Sequence, residues 1–150
     1  MMVHGTAYEI DVTVTQHFRA AHSLPMRPEL HHHDWEVEFT ISGKINPATG
    51  MVCDMLELAE FFKPFVSTLD NTVLHDVDVF SESEPLIALT AKYPTCDTLA
   101  HYFMWKTVPA FRDQVRIEGL TISKIMVKIA EPDQHEPWGW AIIRAEGVAP

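Results

Sequence analysis

Two long segments of this 150-residue chain alternate between apolar and polar side chains, which is the pattern of a β-strand with one buried face. The first covers residues 8–18. The second follows a run of histidines, and its apolar positions are Trp35, Val37, Phe39 and Ile41. Residues 46–50, Asn-Pro-Ala-Thr-Gly, have turn-forming chemistry and should end the second strand. The fold is therefore expected to begin with two half-buried strands.

Two helices and two more strands are predicted downstream of this pair. Asp54 is placed to cap a helix, because apolar residues recur behind it at helical spacing. Pro64 is expected to kink or split that helix, since proline lacks the backbone N–H that an inner turn donates. A second helix should open at Thr95 and run toward Pro109. The third and fourth strands are predicted at residues 120–130 and 138–144.

This order of elements, ββααββ, predicts one α+β domain over residues 1–150. Two helices would pack on one face of a four-stranded antiparallel sheet. Such a sheet has two edges with unpaired backbone N–H and C=O groups, which are a liability unless another chain covers them. A homo-oligomer that continues the sheet is therefore expected.

The composition excludes several classes of partner. A formal net charge of −10, from 11 basic and 21 acidic residues, repels a phosphate backbone, so no nucleic acid partner is expected. No segment approaches the roughly 18 consecutive apolar residues of a membrane helix, and we expect a cytoplasmic protein that does not contact membranes. Cys53 and Cys96 are too few for a disulfide scaffold and should be free thiols.

Histidines are the unusual feature of the composition. If the second strand begins at His31, then His31 and His33 share the buried face of Trp35, and His32 points away. If the first strand continues past residue 18, the same alternation brings His22 to its buried face. Three imidazoles that converge with one position left open form a catalytic zinc arrangement. The alternative is a set of structural histidines at the surface or the edge of the core, and the paired spacing favours the metal.

Six segments, in order along residues 18–131, resemble motifs of the 6-pyruvoyl-tetrahydropterin synthase and 6-carboxytetrahydropterin synthase family. Residues 18–22, Phe-Arg-Ala-Ala-His, resemble its Phe-x-Ala-Ala-His motif. Residues 30–35, Leu-His-His-His-Asp-Trp, resemble its Leu-His-Gly-His-Asn-Tyr segment. The other four are residues 50–54 (Gly-Met-Val-Cys-Asp), 69–76 (Leu-Asp-Asn-Thr-Val-Leu-His-Asp), 94–97 (Pro-Thr-Cys-Asp) and 127–131 (Val-Lys-Ile-Ala-Glu).

The resemblance implies a T-fold that assembles into oligomeric barrels, as a hexamer, with sites at subunit interfaces. It implies zinc as the cofactor, and the three metal ligands would be His22, His31 and His33. It also implies a dihydropterin substrate anchored by Glu131, in a pocket that the motif containing Thr95 and Asp97 approaches.

Strand phase supports the anchor role of Glu131. The residue continues the buried row of Val127 and Ile129, where a carboxylate needs a partner. The alternative is an exposed carboxylate in the loop just past the strand.

The chain departs from the family at two catalytic positions. The usual cysteine before the His-x-His pair is missing, and Asn71 replaces the histidine that follows Asp70. Asp70 stays a candidate for proton transfer. Glu29 is a candidate base, since a branch of the family has a glutamate just before the metal pair. A solvated loop role for Glu29 is the alternative, and Arg27 is a candidate contact for substrate phosphates.

Three functions are compatible with these features. The leading hypothesis is a zinc-dependent lyase that acts on 7,8-dihydroneopterin triphosphate or a related dihydropterin. The alternative is a paralogue that binds zinc and pterin without turnover. An unrelated His-x-His zinc hydrolase is the third.

Overall fold

The computed structural model, which describes residues 8–81 and 84–145, contains a sheet packed against α-helices. The strands are β1 (Ile10–Leu24), β2 (Arg27–Gly43), β3 (Thr72–Val73), β4 (Thr121–Ala130) and β5 (Gly139–Arg144). The α-helices are α1 (Met55–Ser67), α2 (Pro85–Lys92) and α3 (Cys96–Gln114). Two short 3₁₀ helices, Leu74–Asp76 and Asp78–Ser81, lie between β3 and α2. The α+β class is thus confirmed.

The sheet has the strand order β3-β1-β2-β4-β5. The four long strands pair antiparallel, as predicted, but β3 adds a fifth strand that pairs parallel to β1. The prediction of a purely antiparallel four-stranded sheet was therefore wrong. A strand of two residues is too short to show an alternation of apolar and polar side chains. Its pairing with β1 depends on where the chain lies after it leaves α1.

The prediction of two helices was also wrong, because α2 lies between the two that were foreseen. It begins with the Glu84 side chain capping the backbone N–H groups of Leu86 and Ile87, and Pro85 occupies its first turn. Eight residues are too short for a clear helical period. Helix α1 runs through Pro64 without a break, so of the expected kink or split the split does not occur.

The helices cover one face of the sheet and bury its apolar row. The Phe39 ring of β2 stacks on Phe62 of α1 with centroids 4.0 Å apart, and Phe103 of α3 contacts Phe39 edge to face. The opposite face is polar, and there Lys128 pairs with Glu36. Among the described residues, no helix is long and apolar enough to cross a membrane.

The β1–β2 hairpin projects beyond the rest of the sheet. β2 pairs with β4 only from Asp34 onward, so residues 27–33 extend past the end of β4 at Ala130. This free end of the hairpin carries all of the histidines in the 31–33 run. A position outside the helix-covered core leaves space for a ligand next to them.

The cap of α1 is a local interaction whose contribution can be measured. The Asp54 carboxylate accepts hydrogen bonds from the backbone N–H groups of Leu56 (2.8 Å) and Glu57 (3.4 Å). Asp54→Ala should lower the free energy of unfolding by about 1 kcal/mol, measured by urea denaturation. Asp54→Asn, which keeps a capping oxygen, should retain most of that stability. Equal losses in both variants would contradict the capping role.

Candidate metal centre

The structure brings His22, His31 and His33 together at the base of the projecting hairpin. β1 continues past residue 18, and its pairing with β2 places His22 directly opposite His31. The ring centroids lie 4.6 Å (His22–His31), 5.0 Å (His22–His33) and 4.9 Å (His31–His33) apart. One ring nitrogen from each residue lies within 4.8 Å of the other two. His32 is exposed and belongs to the other strand face.

All three rings are oriented by backbone carbonyl groups. A carbonyl oxygen only accepts hydrogen bonds, so each Nδ1 must carry the proton and donate it. This tautomer leaves the Nε2 lone pair of each ring free for a metal. The acceptors are the carbonyl oxygens of Pro94 for His22 (2.6 Å), Glu29 for His31 (2.9 Å) and Ala130 for His33 (3.3 Å).

Burial keeps two of these rings in the neutral form. His22 is 3% exposed and His33 is 6% exposed. Desolvation lowers the pKa of His22 to about 4, although its bond to the Pro94 carbonyl opposes the shift. Burial also lowers the pKa of His33. Both residues are therefore unprotonated at neutral pH, which is the form that binds a metal.

Trp35 forms the apolar floor under the cluster. Its ring stacks on Phe18, with centroids 5.7 Å apart, and its Nε1–H donates to the Ala20 carbonyl at 3.2 Å. The rings of His22 and His33 meet it edge-on at 5.2 and 5.9 Å. A fully buried tryptophan held at both ends limits the movement of the two histidines.

A cavity of about 210 Å³ opens over the three histidines. Arg27, Thr95 and Asp97 line it, so the structure places two of the three predicted substrate-binding residues beside the predicted metal ligands. Thr95 also caps α3, because its hydroxyl accepts a bond from the Thr98 N–H at 3.2 Å. That cap fixes the corner of the cavity that α3 contributes.

Glu131 lies at the border of this site and is not buried. β4 ends at Ala130, and the Glu131 carbonyl accepts a hydrogen bond from the Gln134 N–H, which turns the chain away from the strand. The side chain is 59% exposed, and its carboxylate lies 4.0 Å from His33 Nδ1. The expectation that it continues the buried row was therefore wrong, because that row ends with the strand.

The two predicted proton-transfer residues do not line the histidine cavity. Glu29 is exposed on the hairpin and borders a separate groove near its tip. Asp70 accepts a hydrogen bond from the Arg19 N–H at 2.8 Å and lines another cleft, together with His17 and Lys128. Within one chain, neither carboxylate is placed beside the three Nε2 atoms.

The His75 side chain ties β1 to helix α2. Its Nδ1–H donates to the Ala91 carbonyl at 2.8 Å, and its Nε2 accepts from the Ser23 N–H at 3.0 Å. Both ring nitrogens are engaged, so His75 is not free to replace the missing imidazole. It instead fixes the backbone beside His22.

The two thiols are unsuited to act as bases. Burial raises the pKa of Cys96 to about 12, with a smaller contribution from Asp97. Burial also raises the pKa of Cys53. Both stay protonated at neutral pH, although Cys96 lines the histidine cavity.

Sequence reasoning missed two features of the site. Trp138 lines the histidine cavity, and its ring lies 6.1 Å from that of His33. The Arg19 guanidinium binds the carboxylates of Asp34 (2.6 Å) and Asp133 (2.6 Å), and it holds the pKa of Asp34 below its usual range. Neither could be found from spacing, since Trp138 lies far from His33 in the chain and Asp133 lies far from both Arg19 and Asp34.

The chain is similar to known proteins of one family. A model of the 6-pyruvoyl tetrahydropterin synthase family matches residues 11–135. In sequence, the chain is similar to the 6-pyruvoyl tetrahydrobiopterin synthase of Poecilia reticulata, with 35% identity over 65 residues. That match covers 39% of this chain and 44% of the relative, so it spans less than half of that protein.

The fold is similar to those of two solved 6-pyruvoyl tetrahydropterin synthases. The Caenorhabditis elegans structure has a TM-score of 0.66 at 17% identity, covering 92% of this chain and 96% of that chain. The Plasmodium vivax structure has a TM-score of 0.62 at 16% identity, covering 92% and 98%. Because the family model spans most of the sequence, as the six ordered segments predicted, the chain belongs to the 6-pyruvoyl tetrahydropterin synthase family.

Proposed function

We propose that this protein is a zinc-dependent lyase that acts on 7,8-dihydroneopterin triphosphate or a related dihydropterin. The observation that carries the proposal is the convergence of three imidazoles, each of which donates its Nδ1 proton to a backbone carbonyl. Membership of the family supports the class of substrate.

The donor set fits zinc. The imidazoles of His22, His31 and His33 supply three ligands of a four-coordinate site that keeps one position open. Their carbonyl partners are the outer-shell contacts that orient such ligands. When bound, zinc supplies Lewis acidity toward hydroxyl groups of a substrate side chain.

Other residues of the cavity have chemistry that matches a pterin. The amino-pyrimidine edge of a pterin presents N–H donors, and the Asp97 and Glu131 carboxylates are acceptors. The Thr95 hydroxyl offers a further polar contact at the same rim. Arg27 is the cation at the cavity wall, so we assign it to phosphate groups of the substrate.

Proton transfer is assigned to Glu29 and Asp70. Glu29 lies two residues from His31 on the same strand, and its backbone is held by the His31 Nδ1–H bond. Asp70 faces a different cleft of its own chain. It can act only on the site of a neighbouring subunit, which supports a homo-oligomer, a hexamer, with sites shared between chains.

A paralogue that binds zinc and pterin without turnover is the second candidate. It is favoured by the engagement of both His75 nitrogens and by the protonated state of Cys96. In that case no residue of this chain replaces the family's catalytic cysteine or its catalytic histidine. Turnover by the purified protein separates the two candidates.

The metal assignment predicts how zinc content depends on each histidine. His31→Ala and His33→Ala should each reduce bound zinc from about one per chain to a small fraction of that, because two nitrogen ligands hold zinc weakly. His32→Ala is the matched control and should keep the metal. Elemental analysis after gel filtration measures the content. Full retention of zinc in His31→Ala or His33→Ala would show that the metal ligands are wrongly assigned.

The shared-site argument predicts a stable assembly. Multi-angle light scattering at micromolar protein concentration should give the mass of an oligomer, since each site needs Asp70 from a neighbour, and the resemblance to the family sets the expected size at about six chains. A stable monomer would contradict it.

The base assignment predicts the effect of removing one carboxylate. Incubation with 7,8-dihydroneopterin triphosphate should give side-chain cleavage to a hydroxymethyl pterin. Glu29→Gln should slow this reaction by about 10²–10⁴-fold, the usual contribution of a general base. Zinc content should not change, and product formation is followed by chromatography. An unchanged rate would remove Glu29 from the mechanism, and strong synthesis of 6-pyruvoyl-tetrahydropterin would show that the missing residues are dispensable.

A further inference from the structure

Trp138 is a large aromatic side chain left 58% exposed beside the three histidines. Its ring centroid is 6.1 Å from that of His33, at an interplanar angle of 64°. Burying a tryptophan is one of the largest stabilising contributions available to a fold. In the single chain, an indole that lines a concave site and stays exposed is available for contact with a ligand in that site.

We propose that Trp138 is the stacking wall for a flat heteroaromatic ring and selects that ring for the cavity. The inference rests on the proposed function, which it deepens by naming the residue that recognises the ring. Indole faces carry negative charge density and stack in an offset manner on electron-poor rings such as a pterin. The side chain of such a ligand would then extend toward the histidines.

The backbone of Trp138 is held in place before any ligand arrives. Its N–H donates to the Ile129 carbonyl at 3.0 Å, which continues the β4–β5 pairing one residue beyond the strand. Because the Trp138 backbone is already fixed, it loses little conformational freedom when a ligand binds, and the stacking energy contributes to affinity.

A second tie holds the middle of the same loop. The Arg19 side chain reaches Asp133 at 2.6 Å, and the Asp133 N–H donates to the Asp34 carboxylate at 2.9 Å. Asp133 has a left-handed backbone with φ of 64°, which the paired carboxylate helps to stabilise. Residues 131–138 are therefore anchored at their centre and at Trp138, and the loop presents Glu131 and the indole together.

The polar groups around the cavity complement a flat ring. Thr95 and Asp97 lie on the α3 side, where they can meet the hydrogen-bonding edge of a heterocycle, and Arg27 stands apart from them on the hairpin. An open-chain polyol phosphate would satisfy Arg27 and the histidines but would leave the indole in water. The chemical class selected is therefore a planar bicyclic heterocycle that carries a hydroxylated side chain.

The test compares two substitutions that keep apolar bulk but differ in aromaticity. Binding of neopterin to the zinc-loaded protein is measured by isothermal titration calorimetry. Trp138→Leu should weaken binding by about tenfold, the typical size of a stacking contribution. Trp138→Phe should stay within about threefold of the unmodified protein, because it keeps a π-face. Zinc content and melting temperature should not change in either variant.

Quenching of tryptophan emission provides a readout that a purely structural role would not move. Neopterin should quench the unmodified protein, and this quenching should be reduced in Trp138→Leu at saturating ligand. Equal neopterin affinity in Trp138→Leu, or equal weakening by Leu and Phe, would overturn the stacking role. So would unchanged affinity accompanied by a change of oligomer mass in light scattering. If the unmodified protein binds no pterin, both the proposed function and the stacking role fail. If it binds neopterin and Trp138→Leu binds it equally well, only the stacking role fails.

Discussion

The antiparallel pairing of β1 with β2 is the interaction on which the rest of the structure depends. It runs from Ile10 opposite Gly43 to His22 opposite His31, so a shift of one residue would turn His22 away from its partners. The same register places Phe18 opposite Trp35, and their stacked rings close the core just below the histidines. One strand pair thus aligns the apolar core and the candidate metal ligands together.

The site is completed by backbone groups from three separate elements. Pro94 precedes α3, Glu29 belongs to the hairpin, and Ala130 ends β4, yet all three carbonyls orient a histidine ring. Such contacts need no particular side chain on the residues that supply the carbonyls. The His75 side chain adds a further tie beside the site, because it joins Ser23 of β1 to Ala91 of α2.

The residues proposed for proton transfer and those proposed for ligand binding line different cavities. The three candidate metal ligands share one cavity with Thr95 and Asp97, whereas Asp70 faces a cleft that Arg19 and Lys128 also line. The proposed assembly, in which Asp70 serves a neighbouring chain, would account for this arrangement. The loss of the usual cysteine and histidine then concerns the proposed reaction step, whereas His22, His31 and His33 lie together as the candidate metal site.

Periodicity in the sequence alone determined the four long strands, the shared face of His31 and His33, and the start of a helix at Thr95, because a repeating apolar pattern reports which side of a local segment is buried. Six ordered segments were enough to identify the family. Tertiary structure decided the pairing of β3, the exposure of Glu131, and the approach of Trp138 to His33. These three depend on where a strand ends and on which distant element packs beside it, and a periodic pattern carries no information about either.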